Sequence, residues 1–214
     1  MASCRLRWVV ADVESSGLDA RRDRLLALAA VAVHFDPASG RPCIDLGDTF
    51  EAFLQQPETD IERVDKANIL LHRIGIGAQR AGQPPGQALQ AWLDYLRDSP
   101  LVAYHSPFDE AMIDRAMRKH LGQPFKRPWL DLEPLAAVVH EDPRRRALDH
   151  WLNLYRIPCL QRHQAAADTL ATAELLLVMW PRVARRLAAH PRPSHAQLMD
   201  LAAGHRFLPG RSGA

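Results

Sequence analysis

The sequence predicts an α/β fold, a mixed sheet with helices on its faces. Two observations carry that prediction. Three apolar runs of strand length follow one another with little but turn chemistry between them, which reads as a meander. Downstream of residue 60, two further strand-like runs alternate with stretches of helical periodicity. A length of 214 residues with 47% hydrophobic content suffices for one domain with a sizeable core. We assign residues 1–190 to that domain and 191–214 to a C-terminal tail with a short helix.

The elements follow in order. Leu6 to Val13 is the first strand, because Trp8, Val9, Val10 and Val13 supply aromatic and β-branched bulk and Ser15, Ser16 and Gly17 close it. Leu25 to Phe35 is the second, Asp36-Pro37-Ala38-Ser39-Gly40 the turn after it, and Cys43 to Leu54 the third. From Asp60, the apolar residues Ile61, Val64, Ala67 and Ile69 to Leu71 take helical spacing. Gly75-Ile76-Gly77 lacks the preceding strand and the third glycine of a dinucleotide fingerprint, so a flexible loop is expected there. Ala88 to Leu96 is a helix with Leu89, Trp92, Leu93 and Leu96 on one face. Leu101 to Tyr104 is a short strand, and Pro107 sits at the start of a helix that continues over Phe108 to Leu121. Trp129 to Leu132 is a fifth strand running into a helix over Leu135 to His140. Ala147 to Tyr155 and Ala165 to Trp180 are further helices, the second expected to stop at Pro181. Pro191 and Pro193 precede a last short helix, Ser194 to Ala203.

Composition narrows the function classes. The 27 basic and 25 acidic residues leave a formal charge of only +2, so no strong overall field draws the protein onto nucleic acid or an anionic membrane. Any nucleic-acid contact must be local. Arginine outnumbers lysine by 24 to 3, which reads as a coding bias rather than a phosphate-binding adaptation. Cys4, Cys43 and Cys159 form no disulfide framework and no Cys-x-x-Cys zinc pattern. No signal peptide is visible after Met1, and the longest apolar stretch, Leu25 to Val33, is too short to span a bilayer. A soluble, cytoplasmic protein with no membrane partner is expected.

Chemistry concentrates at strand ends and helix starts. Alternate residues of a strand share a face, so Asp12 and Glu14 project to the same side. Either a cation lies between them or both are solvated turn residues. Asp109 falls in the first turn of a helix, where the dipole alone would favour a carboxylate. Asp168 has the same ambiguity, and His163 can be an ordinary exposed histidine. As a set, four acids converging at one sheet edge suit two Mg²⁺ or Mn²⁺ ions rather than zinc. Such a pair serves phosphodiester hydrolysis, with a nearby histidine taking the proton of the attacking water.

Asp-Val-Glu-Ser-Ser-Gly-Leu at residues 12–18 resembles the first motif of the DEDDh family of 3′→5′ exonucleases, Phe108-Asp109 the second, and His163-x-Ala165-x-x-Asp168 the third. The family includes the proofreading subunit of bacterial DNA polymerase III, RNase T and oligoribonuclease. The resemblance covers about residues 6 to 180 and implies a ribonuclease H-like, five-stranded mixed sheet. It implies Asp12, Glu14, Asp109 and Asp168 as ligands of two Mg²⁺ or Mn²⁺ ions and His163 as general base. It further implies that the backbone of Ser15, Ser16 and Gly17 holds the terminal nucleotide of a single-stranded 3′ end and that Leu18 wedges against its base. A core residue closing the turn is the other reading of Leu18. The implied partners are single-stranded DNA or RNA and, as a protein, a DNA polymerase.

Departures from the family pattern stand beside the matches. The family commonly places His-Asn where this chain has Tyr104 and His105, so His105 is expected to bond either substrate or a neighbouring loop. His72-Arg73-Ile74 resembles a His-Gly-Ile stretch of some relatives but has arginine for glycine, and it receives no role. Arg144-Arg145-Arg146 and Arg182, Arg185 and Arg186 are candidates for phosphate contacts or for a solvated charged face. The rival reading is a noncatalytic module on the same fold that docks on a polymerase or on nucleic acid. A module of that kind has no need for four acids and a histidine in these positions.

Overall fold

In the computed structural model, which describes residues 6–62, 66–159, 161–188 and 193–209, the apolar runs of the first third form the expected meander. β1 (Leu6–Ser15), β2 (Leu25–Phe35) and β3 (Pro42–Phe53) pair antiparallel in sequence order. Three short helices follow, α1 (Glu58–Ile61), α2 (Lys66–His72) and α3 (Ile76–Ala81), and then α4 (Pro85–Leu96). β4 (Leu101–Ala103), α5 (Ser106–Leu121), β5 (Trp129–Asp131) and α6 (Leu132–His140) come next. α7 (Leu148–Tyr155), α8 (Ala165–Arg186), α9 (His195–Ala203) and a 3₁₀ turn over Gly204–Phe207 complete the described chain. β4 joins β1 and β5 joins β4 in parallel, giving the order β3-β2-β1-β4-β5. This is the mixed five-stranded, ribonuclease H-like sheet, with β1 at its centre.

The period of two along β1 divides the core. Val9, Ala11 and Val13 pack with Leu89, Trp92 and Ile113 on the face covered by α4 and α5. Trp8 and Val10 pack with Leu135, Leu175 and Met179 on the face covered by α6 and α8. β2 is buried along almost its whole length because both faces are covered, which is why it reads as a continuous apolar run. α9 begins with a Ser194–Gln197 capping box and seats Leu198 in the core.

Three expectations need correction. Gly75-Ile76-Gly77 opens α3 instead of forming a flexible loop, because the buried Gln79 side chain donates to the Ile74 carbonyl at 3.0 Å and offsets the poor propensity of two glycines. Pro181 lies inside α8 and does not stop it, since Trp180 and Val183 on either side are buried in the core. β5 ends at Asp131, whose carboxylate caps α6 through the Glu133 amide, so Leu132 is helical and α6 starts three residues early. Cys4, Val64 and the expected boundary near His190 with Pro191 lie outside the described residues. No helix among the described residues is long and apolar enough to cross a membrane.

Candidate active site

The central strand delivers the first two acids. Asp12 sits opposite Ala29 and Glu14 opposite Ala27, with a register shift just beyond, between Glu14 and Ser15. Residues directly opposite on antiparallel strands share a face, so the small alanines leave room beside both carboxylates. The start of α8 fills that room, with the Thr169 hydroxyl 3.4 Å from the Ala29 carbonyl. One turn into α8, Asp168 is thereby brought to Asp12 and Glu14, and oxygens of all three lie within 4.8 Å of one another. Asp109, in the first turn of α5, is buried, and its charge acts on Asp12 more strongly than that of any other acid.

Crowding of like charges sets the electrostatics. Burial, and then the charges of Asp109, Asp168 and Glu14, push Asp12 well above the usual carboxylate range. Burial and the charge of Asp168 push Glu14 up to about 8. Asp109 is pushed by burial to about 8 although the amides of Asp109 and Val13 draw it down. The cluster therefore favours bound protons near neutral pH unless cations balance it. One cation is already present. The Arg162 guanidinium pairs with Asp168 and with Asp149 of α7 and lowers both Asp12 and Glu14. Arg162 and Asp149 were not picked out from the sequence; a cation directly before the third motif is the signal that points to the first of them.

The remaining residues take distinct places. His163 adopts a left-handed φ of 62° that turns its amide onto Asp168 Oδ2 at 3.0 Å, and the residue is exposed. Ser15 Oγ donates to the Gly17 carbonyl at 2.6 Å, and Ser16 Oγ donates to Asp23 at 3.1 Å. A Cβ on Gly17 would stand 2.5 Å from the Asp23 carboxylate, so this tight loop needs glycine there. Leu18 is 90% exposed at its tip and is not a core residue. His105 stands apart from the three acids. Its Nδ1 lies 2.9 Å from Glu133 Oε2, its amide donates to Asp131, and Arg145 holds Glu133 through two nitrogens. His105, Asp131 and Glu133 are close enough to hold an ion, but Arg145 already supplies their countercharge.

Two further sequence features resolve. Arg73 has a φ of 59°, a conformation natural to the glycine of the resembling stretch, while the buried His72 accepts the Ile74 amide at Nδ1. Arg144 and Arg146 pair with Asp142, and Arg186 pairs with Glu141. Those arginines serve the chain's own acids.

Comparison with known proteins agrees with this geometry. The RNase T family model, described as an exonuclease, matches residues 9–176. The PolC-type DNA polymerase III of Bacillus subtilis (strain 168) is 30% identical over 175 residues, which are 80% of this chain and 11% of that protein. The corresponding protein of Caldanaerobacter subterraneus subsp. tengcongensis is 26% identical over 180 residues, 83% of this chain and 12% of that protein. The chain thus spans about an eighth of the length of these relatives. Among solved structures, exonuclease I superposes with a TM-score of 0.69 at 16% identity, over 91% of this chain and 45% of that one. E. coli exonuclease I in complex with a dA16 oligonucleotide gives 0.68 at 16% identity, over 94% and 43%.

Proposed function

This chain belongs to the exonuclease family whose model spans residues 9–176, and from that premise we propose that it is a metal-dependent 3′→5′ exonuclease of the DEDDh branch, releasing nucleoside 5′-monophosphates from single-stranded nucleic acid. The observation that carries the reading is the convergence of Asp12, Glu14 and Asp168 at the end of the central strand, with the buried Asp109 near enough for its charge to act on Asp12.

The donor set fits divalent ions, because it offers only carboxylate oxygens, and burial drives Asp12, Glu14 and Asp109 to protonate when no cation balances them. We assign Asp12, Glu14, Asp109 and Asp168 as the residues that hold two Mg²⁺ or Mn²⁺ ions. Such a pair, when bound, stabilises both the attacking and the leaving oxygen of phosphodiester hydrolysis. His163 takes the proton of the attacking water at its imidazole, which its exposed place on the rim leaves free to do so. The tight loop of Ser15, Ser16 and Gly17 holds the terminal nucleotide, and the exposed Leu18 packs on its base. His105 keeps Nε2 for a substrate contact while Nδ1 is engaged by Glu133. A DNA polymerase is the proposed protein partner, on the strength of the PolC-type relatives. The cytoplasm is the proposed compartment.

The test is degradation of matched 5′-labelled single-stranded DNA and RNA, with Mg²⁺ and with EDTA. A ladder shortening from the 3′ end, lost in EDTA and blocked by a modified 3′ hydroxyl, is expected, and the relative rates assign DNA or RNA. Full activity in EDTA, or equal cutting of a circular strand, would overturn the reading. Binding without hydrolysis would return the noncatalytic module.

A further inference from the structure

We propose that a cationic cavity behind the β1–β2 loop binds the sugar–phosphate backbone of the substrate strand, upstream of the nucleotide held at the carboxylates. This rests on the exonuclease reading and adds a subsite to it. The cavity has a volume of about 900 Å³, toward the upper end of the roughly 300–1,000 Å³ of small-ligand pockets. Arg22, Arg24, Arg80, Arg115 and Lys119 line it against two carboxylates, Glu58 and Asp60. With His120 neutral, three positive charges are in excess, more than the +2 of the whole chain. Positive charge that the composition disperses is thus gathered at one place.

Two of the five cations are spent within the wall, Arg24 on Asp60 and Arg80 on Glu58. The other three have no acid partner among the lining residues. Arg22 stands 3.8 Å from Asp19 with its side chain mostly in solvent. Arg115 donates to the Arg21 carbonyl at 2.8 Å, and neither it nor the exposed Lys119 forms an ion pair among the described residues. Leu25, Leu54 and Met112 lie beneath the cavity, almost wholly buried. Cations at the rim match phosphates, and they carry no sequence preference.

Position connects the cavity to the site. Leu25 pairs with Ser15, the residue after Glu14, and Met112 lies one helical turn beyond Asp109 on α5. Leu25 and Met112 pack on the α4–α5 face and Asp12 and Glu14 lie on the opposite, α8 face, so the β1–β2 loop that presents Leu18 is the ridge a strand crosses between carboxylates and cavity. From Arg115 to Lys119 the helix advances about 6 Å at ~1.5 Å per residue, enough for successive phosphates of one strand.

The test uses the full chain with Mg²⁺ and single-stranded oligonucleotides of three and ten nucleotides at several salt concentrations. The longer substrate is expected to have a lower KM. Lys119→Glu, at an exposed helix position that puts folding at no risk, should raise that KM about tenfold and reduce the salt slope by about one. Its kcat and its action on the trinucleotide should be unchanged. Arg115→Gln should act in the same direction. Equal KM for both lengths in the parent protein, or a Lys119→Glu effect that is absent or the same on both substrates, would overturn the subsite. Competition by a nucleoside 5′-monophosphate that is relieved by Lys119→Glu would also overturn it, by making the cavity a mononucleotide site. A parent protein that cuts neither substrate instead sinks the exonuclease reading.

Discussion

At His163 the backbone takes a left-handed conformation that costs a non-glycine residue about 1–2 kcal/mol. The return is a hydrogen bond from its amide to Asp168, which ties the loop before α8 to the first turn of that helix while leaving the imidazole in solvent. If the ring is the general base, His163→Ala should lower the single-turnover rate about 10²–10⁴-fold with Mn²⁺ affinity near that of the parent. A retained rate at neutral pH would return it to an ordinary surface histidine. The acids themselves behave differently. Asp12→Ala and Asp168→Ala should each abolish turnover while circular dichroism shows the fold intact, and activity surviving in both would end the two-ion reading. These residues were legible in the sequence because their signals are local: alternation places Asp12 and Glu14, and Asp109 and Asp168 fall at helix starts. Arg162 was not, since its role depends on Asp149 of α7 coming close through packing. The pairing of Glu133 with both His105 and Arg145 was hidden for the same reason.

Elements bounded by strong local chemistry were legible to the residue. β2 runs from Leu25 to Phe35 as its apolar content dictates, between a polar loop and an Asp-Pro turn. Ends decided by tertiary contacts were not. α8 continues through Pro181 because Val183 is fully buried beyond it, so packing outweighs the lost amide donor. α3 forms around Gly77 because Gln79 is locked by the Ile74 carbonyl below and by the Gln56 amide above. α9 combines both kinds of signal. Ser194 caps it, and His195 Nε2 reaches the Leu101 carbonyl at 2.8 Å in the interior. Ser194→Ala should therefore cost about 1 kcal/mol, read as a lower urea midpoint with unchanged slope. An unchanged midpoint would mean that burial of Leu198 holds the helix without its cap.

Across the whole molecule, the crowded acids make stability a function of pH and, if they hold the two proposed ions, of metal as well. Asp12, Glu14 and Asp109 titrate in the folded protein well above their ordinary range, with Glu14 and Asp109 near 8. Between their unfolded values and about 8 the native state binds more protons than the unfolded chain, so unfolding free energy falls as pH rises through that window. Buried histidines act with the opposite sign. Desolvation holds His72, His140 and His195 below their ordinary 6.5, so the unfolded chain takes up protons that the native state refuses, and stability rises with pH up to about that value. The two effects overlap in acid but separate above pH 6.5, where the carboxylates act without the histidines. In EDTA, the melting temperature should accordingly decline from pH 6.5 to 8.5. Saturating Mn²⁺ should flatten the decline, because cations then replace the protons that the cluster otherwise takes up. Glu14→Gln should flatten it without metal, since one of the three raised acids no longer titrates. A metal-free melting temperature that is level or rising over this interval would show that the four acids do not share one site, and the assignment of two ions would fall with it.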